Sequence, residues 1–71
     1  MKTLLIMKLV GERVREQRLR LGLSIDDVAK RSASSIHFIK ELEWSMLKDI
    51  DLRTLISVAA AVELQASDLL A

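Results

Sequence analysis

"LSIDDVAKRSASSIHFIKELEW", residues 23–44, decides how this chain folds, because it holds two helix starts separated by one tight turn. Ser24 has the short polar side chain of a good N-cap. Asp27 follows three residues later, as in a capping box, and Asp26 and Asp27 favour the positive end of the helix dipole. A helix over about residues 25–31 is predicted. "SASS", residues 32–35, is rich in turn formers and too short for anything but a tight connection. The next helix should begin near Ser35. Residues placed 100° apart put Ile39, Leu42, Glu43 and Met46 on its inward side. His37, Lys40, Glu41 and Trp44 fall outward, with Ile36 and Phe38 on the two borders.

Upstream, Val10, Val14, Arg18 and Leu21 recur along one face, which predicts a first helix over roughly residues 9–21, ended by Gly22. The opening "MKTLLIMKLV" is too short for a membrane span and has no cleavage site of a secretory signal. Residues 1–9 are therefore an extension or frayed start of the first helix, or an apolar arm, "TLLIM", that docks on a second subunit. Downstream, Asp51 can cap a fourth helix whose stripe is Leu52, Leu55, Ile56, Ala59 and Val62, expected to be core. "QASDLLA" offers Ser67 as another N-cap and a last short turn whose Leu69 and Leu70 close the core. Residues 10–71 are thus expected to form one domain, without repeats or a linker.

Composition narrows the class. A chain of 71 residues is one domain with an economical core. With no proline, two glycines and abundant Leu, Ala, Glu, Lys and Arg, it should be all-α. The absence of cysteine excludes disulfides, thiolate chemistry and cysteine-ligated zinc, and the single His37 cannot build a metal site alone. No cofactor is expected. The carboxylates Asp26 and Asp27 and the serines Ser24, Ser34 and Ser35 are explained by caps and turns, so no enzyme is expected. The net charge of +1 is unevenly spread: residues 1–24 hold six basic and two acidic groups, residues 50–71 one and three. Any basic surface lies near the N-terminus.

Two charges fall on apolar faces, Arg18 on the first helix and Glu43 on the third. Each would be costly to bury alone, so they either pair or snorkel to water. The segments "GERVREQRLRLGLS", "DDVAKRS", "ELE" and "LRTLISVAAAVELQASDLL" resemble the phage-repressor and Cro-type (XRE-like) helix-turn-helix family over about residues 11–70. The resemblance implies a compact five-helix repressor-like domain with its helix-turn-helix at about 24–44. It also implies that Arg18 and Glu43 form a buried salt bridge, and that base edges are reached from Ile36, His37 and Glu41.

This chain departs from the resembled pattern in places. A glutamine common at the start of the second helix is Ile25, and a glycine usual in the turn is Ala33. His37 can donate to guanine or phosphate, Ile36 or Phe38 can contact a thymine methyl, and Glu41 can accept from the cytosine amino group. Glu41 also repels phosphates, with Lys40 and Lys48 nearby to offset it. Ser35, at the helix start, completes the expected DNA-binding set of Ser35, Ile36, His37, Phe38, Lys40, Glu41 and Lys48. Lys30, Arg31, Arg13, Arg15 and Arg20 add phosphate contacts only if they share that side.

The expected function is a small cytoplasmic, sequence-specific regulator that binds double-stranded DNA as a homodimer. Its dimer surface would be the helix 4 and 5 end, with Leu64, Leu69 and Leu70, or the "TLLIM" arm. The alternative is a degenerate helix-turn-helix serving as a protein-docking module, with Phe38 and Trp44 as anchors on the helix 3 face. "GERVREQRLRLGLSIDDVAKRS", with Phe38 three residues before "ELE", also resembles the cytoplasmic domain of the bacterial cell-shape protein that binds a bacterial actin. Here, however, helix 4 lacks that domain's tyrosine and phenylalanine residues, and no membrane segment is present. An antitoxin or a phage-encoded anti-regulator belongs to the same class.

Overall fold

The computed structural model describes residues 3–70, with only the backbone of Thr3 and Leu4; that part of the "TLLIM" arm lies outside the described side chains. It is an all-α, five-helix repressor-like helix-turn-helix domain. The helices are α1 (Thr3–Arg20), α2 (Ile25–Arg31), α3 (Ile36–Glu43), α4 (Leu52–Ala61) and α5 (Ala66–Leu70), with no strand among the described residues. α1 packs on α3 and α5, α2 on α3 and α4, and α4 on α5. The core they enclose is built from Met7, Val10, Val14, Val28, Ile39, Leu42, Leu55, Val58, Val62 and Leu69, together with Ala29, Ala59 and Ala61.

α1 starts well before the expected position 9 because nothing between Thr3 and Leu9 breaks a helix and Met7 extends the Val10, Val14 stripe into the core. Where α1 crosses α3, Gly11 is required: a Cβ there would collide with the Leu42 carbonyl oxygen. The absent side chain lets the two backbones meet.

The starts of α2 and α4 follow the cap signals. Ser24 Oγ accepts from the Asp27 amide at 3.0 Å, and Asp27 Oδ2 accepts from the Ser24 amide at 2.9 Å. Asp51 accepts from the amide and the hydroxyl of Thr54. At α5 the expected Ser67 cap is not used. The helix begins at Ala66, two residues before a Ser67 cap would start it, and Asp68 reaches back to accept from the Gln65 amide at 2.8 Å.

Four helix ends share one device. After α1, α2, α3 and α4, a residue with positive φ closes the helix: Gly22 (70°), Ala33 (55°), Ser45 (59°) and Glu63 (62°). Each time the next amide returns to the carbonyl five residues back, as in Leu23 to Arg18 and Ser34 to Ala29. Four residues expected in the core, Met46, Leu52, Ile56 and Leu70, are exposed, the first because of such a turn. α3 stops at Glu43, so Met46 lies past the left-handed turn and is 68% exposed rather than inward. On α4, Leu52 and Ile56 are exposed, because packing against α2 and α5 turns Leu55, Val58, Ala59 and Val62 inward. At the C-terminal end Leu69 is fully buried while Leu70 is half exposed, so Leu69 is not free to form a dimer surface.

Candidate nucleic-acid interface

α3 is held from behind by a buried ion pair. Arg18 Nε donates to Glu43 Oε2 at 2.7 Å, and its terminal nitrogens donate to Glu43 Oε1 at 2.9 Å and to the Leu23 carbonyl at 3.0 Å. The guanidinium thereby ties α1, the turn after it and the C-terminal end of α3 into one unit, with no buried side-chain polar atom left unpartnered among the described residues. The α2–α3 turn is equally fixed. Ser32 is buried and its hydroxyl donates to the Val28 carbonyl at 2.7 Å, while Ala33 adopts the left-handed conformation that a glycine would take more easily.

The front of α3 is open. Ser35, Ile36, His37 and Lys40 are exposed, and Ser35 Oγ caps the helix by accepting from the Phe38 amide at 3.0 Å. Phe38 is half-buried against the core, on the inner border. Glu41, expected to point outward, is half-buried, and its carboxylate lies 3.2 Å from His37 Nε2 one turn earlier. The two polar side chains best suited to base edges thus lean on each other. Lys48 is exposed in the α3–α4 connection.

The distant cations are largely occupied elsewhere. Arg13 donates to the Asp68 carbonyl at 3.0 Å, Arg31 to the Ala61 carbonyl at 3.3 Å while also facing Glu63, and Lys30 pairs with Asp26 at 3.1 Å. Arg15 borders a groove at the C-terminal end of α3, and Arg20 a groove beside α5. Ile25, where the resembled pattern has glutamine, is half-buried and packs on the core, so it offers no polar brace to the front of α3.

Two carboxylates near the helix starts are tuned by their caps. The Ser24 amide, with the Ser24 hydroxyl second, holds the Asp27 carboxyl below its ordinary 3.8, and the Thr54 hydroxyl and amide do the same for Asp51. Both stay ionised for structural reasons. Among the described residues no group of three metal-ligating side chains comes together, and no helix is long and apolar enough to cross a membrane.

Trp44 is the residue whose surroundings the sequence left most open. It stands one position past α3 and is 68% exposed. It borders the same groove as Arg15, together with Glu12, Glu16 and Leu19 of α1.

No protein-family model matches the chain, and no curated protein matches it significantly. Solved structures do. The clp gene regulator ClgR from Corynebacterium glutamicum superposes with a TM-score of 0.84 at 25% identity, covering 92% of this chain and 68% of that one. A second ClgR crystal structure gives 0.82 at 25% identity, over 92% of this chain and 83% of its own. SinR, the master regulator for biofilm formation, solved in complex with DNA, gives 0.81 at 19% identity over 87% of this chain and 98% of its own. The five-helix fold of this chain is the fold of these regulators.

Proposed function

We propose that this chain is a small, sequence-specific DNA-binding transcription regulator that works in the cytoplasm as a homodimer, with α3 in the major groove. The observation that carries the reading is the exposed group Ser35, Ile36, His37 and Lys40 at the start of α3, set on a scaffold locked by Arg18 and Glu43. The likeness to SinR, which was solved on DNA, supports it. Lys40 and Lys48 make the charged phosphate contacts, Ser35 adds a hydroxyl at the helix start, His37 faces the groove beside Glu41, Ile36 meets a thymine methyl, and the exposed edge of Phe38 adds to that apolar contact. Glu41 is drawn back against His37, which limits its repulsion of the backbone. The domain is only 31 Å in its longest dimension, so two heads are needed to read two half-sites about 34 Å apart.

One observation favours a second reading, a helix-turn-helix kept as a protein-docking module: the exposed Trp44. Binding to random duplex DNA and to the DNA upstream of the chain's own gene, at two salt concentrations, separates the two. Salt-sensitive binding that prefers the upstream fragment supports the regulator. No binding even at low salt overturns it in favour of the docking module.

A further inference from the structure

The groove between α1 and the C-terminal end of α3 encloses about 330 Å³ and is walled by Glu12, Arg15, Glu16 and Leu19 on one side and Trp44 on the other. Residues 12, 15, 16 and 19 form one stripe of α1, spaced three, one and three apart. Leu19 and Trp44 are 55% and 68% exposed, an apolar pair with no cover. Glu12, Arg15 and Glu16 make no ion pair among the described residues. The face therefore combines uncovered apolar surface with unpaired charges of both signs.

We propose that the occupant of this groove is the same groove of a second copy of the chain. A two-fold interface must be complementary to itself, which the stripe satisfies when two α1 helices run antiparallel about a point between residues 15 and 16. Arg15 then faces the partner's Glu16 and Glu16 faces the partner's Arg15, giving two reciprocal ion pairs. Leu19 lies over the stem of the partner's Glu12, and each Trp44 closes one flank. A foreign partner would need its own matching mixture of charges, whereas a second copy carries it in register. The contact is one helix stripe with a single aromatic flank per copy, so the dimer belongs with the small, transient interfaces. It shares no residue with the front of α3; it gives a surface to the homodimer proposed above and rests on that part of the reading, not on DNA binding.

Sedimentation of the full chain over a wide concentration range, without DNA, reads self-association directly. Trp44 is the sole tryptophan, so its emission reports this face alone. The mass should double as concentration rises, with the emission moving to the blue. Arg15→Glu puts like charges opposite each other and should raise the dissociation constant at least about tenfold. The double swap Arg15→Glu with Glu16→Arg recreates the reciprocal pairs and should return it to within about threefold of the starting value. All changes are at exposed positions, and unchanged helical circular dichroism establishes that the variants fold. A monomer at every concentration, a dimer indifferent to Arg15→Glu, or a double swap that fails to restore association would each overturn the proposal. DNA binding is measured separately: lost self-association with salt-sensitive DNA binding retained overturns this surface and leaves the regulator standing, whereas no DNA binding with self-association retained does the reverse.

Discussion

Arg18 and Glu43 are two charges inside an apolar core, and each is tolerable only because the other is there. Bidentate geometry at 2.7 and 2.9 Å, with the Leu23 carbonyl as third acceptor, satisfies the guanidinium. Glu43→Ala strands Arg18 and is expected to cost about 3–5 kcal/mol, read as a lowered urea midpoint; an unchanged midpoint would show that the pair contributes nothing net. Gly11 is the opposite case, a residue whose importance is an absence. Gly11→Ala drives a Cβ into the Leu42 carbonyl, a backbone atom that cannot swing aside, and should destabilise by about 1–3 kcal/mol in the same titration. The ion-pair residues stood out in the sequence, because charges on an apolar stripe demand an explanation. Gly11 did not, because the backbone that needs its space is contributed from the third helix.

Helix ends are where the elements are least optimised. Ala33, Ser45 and Glu63 occupy left-handed positions that favour glycine, whereas the end of α1 uses Gly22. Replacing each of the three by glycine is expected to raise stability by about 0.5–1 kcal/mol, less at Glu63, whose carboxylate faces Arg31. Thermal melts of the three single variants test this; lower melting temperatures throughout would mean that the turns are not strained. The helix starts carry a pH dependence. Asp27 and Asp51 have folded pKa values lowered from 3.8, so their contribution is complete above that value and is lost as pH falls through the folded values. Melting temperature should drop below about pH 4, and Asp27→Asn with Asp51→Asn should flatten the drop. Caps were readable in the sequence because they are local. The exposed faces of α4 and Met46 were not, since Leu52 and Ile56 satisfy a helical stripe as well as Val58 does, and only packing against α2 and α5 chooses between them.

For the whole molecule, the distribution of charge sets how any DNA complex must behave. Most of the basic surplus lies in residues 1–24, yet Arg18 is buried in its ion pair and Arg13 is tied to α5. Lys40 and Lys48, both exposed, are the cations of the proposed reading face. The five-helix plan was legible because capping and stripes agree along the chain. The poverty of the reading face was only half legible, because the sequence does not tell which arginines the fold consumes. Two lysines per head neutralise about four phosphates in a dimer, giving a slope of about −4 for log affinity against log salt, and about −2 for a monomer. Lys40→Ala should bring the dimer's slope to about −2 and weaken binding to all sequences alike. Glu41→Gln removes a carboxylate from the same face and should strengthen binding by about fivefold, roughly 1 kcal/mol, while leaving the slope nearly unchanged, because no counterion-releasing contact is gained. A Glu41→Gln variant that steepened the slope would mean instead that freeing His37 from its carboxylate partner creates a new phosphate contact.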